Sequence, residues 1–273
     1  VCCIYLFFKL EINKYLSLSS VNKKTLLNEL KYSIPLIPNQ LSLWVMNSSD
    51  RLIVSFILGT AANGILAVSH KFPAIFMTFF NIFQLAWHET GTVHFFDKDR
   101  DDFFSKTIEE IMLLFSTLCM CIIIVLPIVF NLFVNSSYNE AYYNIPIYLI
   151  ASLLNVMVGL LGVVYVATKK TFEIAKTTII AALINIIVNI ILIKYIGLYA
   201  ASISTFMGYF ITMIYRIIDT KKYLNIKYSL YKYVKIIVGI LFSTIIYYIN
   251  NKLISIITLP FFICIALWVN KDY

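Results

Sequence analysis

Four side chains in this sequence, Asp50, Arg51, His70 and Lys71, sit inside long apolar runs where a plain membrane segment carries no charge. A guanidinium such as Arg51 forks two parallel hydrogen bonds onto a phosphate, and an ammonium such as Lys71 adds a point charge. A carboxylate and an imidazole can instead hold an ion pair or carry a coupled proton, which makes Asp50 and His70 the ion-pair or ion-coupling candidates. Asp50 can neutralise either Arg51 beside it or Lys71 across a turn. Pairing with Lys71 leaves Arg51 free for an anion, whereas a closed network of the three only fixes the local structure. His70 is read either as a packed, hydrogen-bonded histidine or as a proton carrier.

The stretch Gly59-Thr-Ala-Ala-Asn-Gly64 between the two runs reads as a tight turn between antiparallel helices. About that turn position 50 matches 71 and 51 matches 70, so each charged residue falls roughly 15 Å from it along a helix axis. Residues seven and eleven apart share a helix face. That places Gln40, Asn47 and Arg51 on one stripe, with Trp44 close by, and His70, Met77, Asn81 and His88 on the other, with Gln84 beside it. Two polar stripes at matching depth suit the wall of a hydrated cavity, in which Arg51, Lys71, Gln40, Asn47, Asn81 and Gln84 would bind substrate. The alternative is that the amides only join helices.

The elements that must carry these stripes follow from composition. Of 273 residues, 60% are hydrophobic and only 13% are charged, with a mean hydropathy of +0.84. Such a chain is too apolar for one soluble core, so lipid is its expected solvent. Apolar runs of span length fall at approximately 33–57, 64–87, 107–134, 141–167, 174–193, 196–215, 234–250 and 253–269, after an opening tail at 1–8. The expected fold is therefore all-α: a polytopic membrane bundle of eight transmembrane helices plus the end of another. A barrel is excluded by the absence of strand alternation. Lys24 to Lys31 has leucines at helical spacing and suits the membrane surface.

The net charge of +8 is distributed unevenly. Alternate connections hold 18 of the 22 basic residues, the opposite set only Lys194 and Lys252, and the other two are Arg51 and Lys71. Basic loops stay cytoplasmic, so the C-terminus is expected inside and the 59–64 turn outside. The acidic run Asp97 to Asp102 reads as a solvated loop and helix start, without a metal. The basic, tyrosine-interleaved run from Arg216 to Lys235 reads as a cytoplasmic belt on anionic membrane lipids rather than as a nucleic-acid surface. The five cysteines lie in apolar runs and read as small hydrophobes. His88-Glu89 with His94 lacks the one-turn histidine spacing of a zinc protease, and no phosphate loop, nucleophile elbow or cofactor motif is present. Nothing in the sequence points to an enzyme or a cofactor.

The residues Ser33-Ile-Pro-Leu-Ile-Pro-Asn39, Asn47-Ser-Ser-Asp-Arg51, Gly59, Gly64, Pro73 and Gln84-Leu-Ala-Trp87 resemble the seventh and eighth helices of polysaccharide-unit flippases of the Wzx or O-antigen type. These belong to the multidrug/oligosaccharidyl-lipid/polysaccharide exporter superfamily. The resemblance covers the chain as helices seven to fourteen of fourteen, the C-terminal lobe of a MATE/MurJ-like fold, with the opening tail as the end of helix six. It implies a connecting segment at 1–32, a six-helix transport lobe at 33–217, and a basic linker with two further helices at 218–273. It further implies a flippase moving polyprenyl-pyrophosphate-linked oligosaccharide to the outer leaflet of a bacterial cytoplasmic membrane by alternating access. Cationic residues of the cavity would bind the pyrophosphate, and Arg51 matches a charged family position. The implied partners are the lipid-linked oligosaccharide, membrane lipids, and a polysaccharide polymerase with its chain-length machinery. A multidrug exporter of the same superfamily and a non-transporting scaffold of a polysaccharide assembly complex are the alternatives.

Overall fold

The computed structural model describes residues 8, 9, 11, 22–251, 255–258 and 260, and the side chain of Asn47 lies outside that description. The opening tail, the span expected at 253–269 and Cys2, Cys3 and Cys264 fall almost wholly outside the described residues. Those that are described form an all-helical bundle. Five helices are long and apolar enough to cross a membrane, and a sixth span is formed if one bent pair is counted together.

Helix α1 (Lys23–Ser33) is capped by Asn22, whose side chain accepts from Lys24 N. It has no buried residue, and its leucines 26, 27 and 30 are exposed as expected of a surface helix. Helix α2 (Leu36–Ile57) starts after Pro35. Its polar residues, from Asn39 to Arg51, keep it outside the group that is apolar enough to cross alone.

Gly59, with φ of +93°, alone makes the turn, and α3 (Thr60–Ser69) begins at the next residue. Gly64 therefore lies inside α3, and the six-residue turn expected from the sequence is shorter than its glycines implied. After His70 the chain bends by 42° into α4 (Lys71–His94). Pro73 causes the break: it has no N–H for the carbonyl of Ser69, and as the third residue of a new helix it loses nothing.

Helix α5 (Arg100–Phe133) starts at the acidic run, with Asp101 and Asp102 in its first turn favourable to the helix dipole. Its 34 residues reach roughly 50 Å, so its charged start projects beyond a hydrocarbon layer about 30 Å thick. A 3-10 turn (Ser136–Tyr138) leads to α6 (Glu140–Ala167), the centre of the bundle, 72% of whose most apolar stretch is buried. Helices α7 (Thr171–Ile196) and α8 (Tyr199–Thr220) pack on each other, α8 on α6 and α2 on α7. Helix α9 (Leu230–Ile249) packs on α5.

On two helices the exposed and buried faces are reversed relative to a protein in water, while the centre of the bundle keeps a large apolar core. On α7 the outward row is Leu183, Ile187, Ile190 and Ile191, while Thr178, Asn185 and Asn189 point inward. On α8 the inward row Ser204, Gly208, Thr212 and Arg216 repeats every four residues, and Ile214 and Ile218 face out. Small and polar residues inside and large apolar residues outside are what lipid as solvent selects. The inward hydroxyls are satisfied within the bundle, as where Thr212 donates to Gly208 O at 2.8 Å.

Candidate functional site

Two polar regions are stacked along this bundle, one in each half. In the half nearest the lysine-rich ends of the helices lies a cavity of about 680 Å³ walled by α2, α4, α6, α7 and α8. From the expected stripes it takes Gln40, Met77, Asn81, Gln84 and His88, and it adds Asn39, Asn155 and Arg216. Gly159 makes room for the α4 wall, since a Cβ there would come within 2.9 Å of Gln84 Nε2 and Phe80. Trp87 ties α4 to α6 by donating to Leu160 O at 3.1 Å.

Arg216 was expected in a cytoplasmic belt on anionic membrane lipids, yet it is only 4% exposed. Its Nη1 donates to Val158 O at 2.7 Å, while Nε and Nη2 both donate to Thr177 Oγ1, at 3.2 and 2.9 Å. Its guanidinium stands 5.8 Å from the centre of the Tyr165 ring. The rest of the basic run behaves as a surface segment, but pinned rather than loose. Lys222 pairs with Asp219, Lys227 with Asp102 and Lys232 with Glu109. Lys227 N also donates to Ser105 Oγ at 2.9 Å.

The second region surrounds Asp50, which is 1% exposed on α2. Its Oδ1 accepts from Asn189 Nδ2 at 2.7 Å and from Asn185 Nδ2 at 3.3 Å, and its Oδ2 accepts from Thr205 Oγ1 at 2.8 Å. Ser49 donates to Asn185 Oδ1 at 3.0 Å, and Asn185 Nδ2 also reaches Ser204 Oγ at 3.2 Å. The pairing expected with Lys71 or Arg51 is therefore corrected, because Asp50 points away from α4 and into α7 and α8. Asn189 Oδ1 is buried without a partner. A carboxylate and an amide oxygen so placed offer only acceptors, which suits a proton or a monovalent cation.

Between the two regions lies a thin apolar layer. Met46, Ala181 and Ala182 are buried together, with Tyr209 packed against them. Gly208 belongs to this layer, as a Cβ there would meet Ala181 O at 3.1 Å, Met46 Cε at 3.5 Å and Asn185 Cβ at 3.7 Å. Beyond Asp50 the bundle is closed by Val54, Leu66, Tyr148, Ile193, Ala200 and Ala201.

Arg51 and Lys71 do not line the cavity; both are exposed, and among the described residues neither has an ion-pair partner. Their depths also differ from the expectation, because the shortened turn puts Arg51 roughly 9 Å and Lys71 roughly 16 Å from it along their helices. An arginine that near a helix end reaches headgroups by extending its stem. His70 sits at the α3–α4 break with its ring 4.1 Å from that of Tyr148, and both His70 Nε2 and Tyr148 Oη are buried without partners. Asn185 and Asn189, missed in the sequence, were signalled by two asparagines one turn apart in an otherwise apolar run. Among the described residues no group of three or more His, Cys, Asp or Glu could hold a metal ion.

Comparison of the chain with protein-family models, with curated proteins and with solved structures finds no match in any of the three.

Proposed function

We propose that this chain is the C-terminal, substrate-binding part of a flippase that moves a polyprenyl-pyrophosphate-linked oligosaccharide across a bacterial cytoplasmic membrane by alternating access. The carrying observation is the cavity of about 680 Å³ in the lysine-rich half, whose largely apolar wall carries five amides and one buried arginine. Amides bind hydroxyl-rich sugars, and the guanidinium binds the charged link. In this reading the lysine-rich ends are cytoplasmic, as is the C-terminus, and the eight spans form the second lobe of a MATE/MurJ-like fold. Moving Arg216 from the loops into the cavity leaves the orientation intact, since 18 less 1 gives 17 basic residues against 2. The cavity then faces the leaflet where substrate loads.

Gln40, Asn81, Gln84 and Arg216 contact substrate there, with Asn47 above them on α2. Arg51 and Lys71 add positive charge to the outer half of the same hairpin. Asp50, with Asn185, Asn189 and Thr205, is the coupling site for a proton or monovalent cation, and His70 lies beside it. A multidrug exporter of lipophilic cations is disfavoured by Arg216, whose charge repels them from the cavity. A scaffold for a polysaccharide assembly complex has no use for a cavity of this size that holds amides and a buried charge.

The test is transfer in proteoliposomes holding the purified full-length protein. The probe is a short-chain prenyl pyrophosphate carrying a tagged disaccharide, read by an impermeant lectin. Sugar reaching the lectin faster than in protein-free vesicles is the expected result. No acceleration overturns the reading; efflux of lipophilic cations in its place indicates the exporter, and movement of neither by folded protein indicates the scaffold.

A further inference from the structure

We propose that Tyr148 and His70 carry protons between Asp50 and the outer side of the bundle, which makes the coupling ion a proton. The inference rests on Asp50 as the coupling site of the flippase and names the ion and the residues through which it arrives.

Asp50 is sealed from the cavity by the layer of Met46, Ala181 and Gly208, so an ion that reaches it comes from another side. Beyond Asp50 a row of buried polar atoms has no partner among the described residues: Asn189 Oδ1, Tyr148 Oη, His70 Nε2 and Asn63 Oδ1. Val54 follows Asp50 by one turn of α2 and Ile193 follows Asn189 by one turn of α7, and both are buried in one cluster with Tyr148. Tyr148 therefore stands about one turn, roughly 6 Å, further out than the carboxylate, and within electrostatic reach of it. His70 continues the row, its ring 4.1 Å from that of Tyr148 at the break between α3 and α4. Asn63 lies seven residues earlier on the same face, in the first turn of α3, and like His70 it is partly exposed.

Each buried polar atom without a partner costs free energy, and a file of water satisfies atoms that follow one another in this way. A phenol hydroxyl and an imidazole can each take a proton and give one up. A proton arriving on His70 Nε2 passes to Tyr148 Oη as the tyrosine's own O–H proton leaves for the Asp50 carboxylate, with water bridging the gaps. Both relays end neutral and the carboxylate ends protonated. Sodium is poorly served here, because imidazole is not a ligand that alkali cations select. Arg51, whose charge reaches both Tyr148 and His70, also opposes a metal cation that stops on the path. The charged and titratable groups about the row are Asp50 and Arg51 from α2, Lys71 beside His70 at the start of α4, and Tyr209 from α8, which interacts with Asp50. Helix α3 supplies Asn63, α6 Tyr148 itself, and α7 the amides of Asn185 and Asn189.

The experiment uses proteoliposomes of the full-length protein with a pH dye sealed inside. It follows proton movement together with lectin-read transfer of the tagged prenyl pyrophosphate disaccharide. In wild type a pH gradient should drive transfer, and protons should move with it. Tyr148→Phe keeps the ring and removes only the unpartnered hydroxyl, so Tm should be unchanged while driven transfer and its proton flux fall by at least about tenfold. His70→Gln should lower both to the same extent. Exchange of tagged for untagged substrate at equal pH needs no net proton and should keep its wild-type rate in both variants. Proton flux equal to wild type in either variant overturns the path and leaves Asp50 as the coupling site. Wild-type transfer driven by sodium without proton movement overturns the path and leaves the flippase reading standing. Exchange slowed as much as driven transfer makes Tyr148 and His70 structural, which also overturns it. No transfer by wild type overturns the flippase reading and the path with it. If one variant fails to fold, the other decides by the same outcomes.

Discussion

Asp50 and Arg216 are deeply buried charged side chains in the two halves of this bundle, and their surroundings are opposite. Asp50 has donors on both oxygens, drawn from two other helices. Arg216 is held through all three of its nitrogens and, in the wall of a cavity, keeps one N–H on each terminal nitrogen without a partner among the described residues. The difference separates a charge that the protein satisfies internally from one that it leaves for something else to satisfy.

Breaking the Asp50 side of that contrast should have the largest effect on stability. Asp50→Leu leaves the amides of Asn185 and Asn189 and the Thr205 hydroxyl without an acceptor, and should cost about 3 kcal/mol, read as thermal stability in detergent. Asp50→Asn keeps much of the network and should fold, but transport should lose its dependence on the proton or sodium gradient; retained dependence would move the coupling site elsewhere. Gly159→Leu drives a side chain into Phe80 and Gln84 and should cost about 2 kcal/mol while narrowing the cavity for a bulky sugar. Arg216→Met should cost only about 1 kcal/mol of stability, because it strands two acceptors and at the same time removes a buried charge. A larger loss than that of Asp50→Leu would reverse the comparison. Arg51→Ala should change stability by less than about 0.5 kcal/mol and leave anion binding to the cavity unchanged.

What was legible in the sequence was local. The apolar runs, the helix start beside Asp99 and the polar face shared by Gln40, Asn81 and Gln84 all follow from spacing along one chain segment. The partners of Asp50 did not, because Asn185 lies 135 residues away and Thr205 lies 155 away. Depth matching within a hairpin considers only the two helices of that hairpin, so it offered Lys71 and could not offer α7 or α8. It also depended on the length of the turn, and Gly59 alone supplies the positive φ that the turn requires. Arg216 was missed for a different reason. It stands next to a lysine-rich loop, where composition alone makes it one more surface cation. Its helix carried the correcting signal, a row of Ser204, Gly208, Thr212 and Arg216 that only an inward face explains.

The apolar layer at Met46, Ala181 and Gly208 also decides how well the bundle insulates. A water-accessible pocket reaching halfway into a bilayer shortens the path along which an ion could leak, and here a single stratum of side chains stands between that pocket and a carboxylate. Met46, unbranched and flexible, is the part of this septum that can yield without unfolding a helix. Met46→Ala should therefore raise the passive proton conductance of protein-loaded vesicles, at the stability cost of a buried cavity.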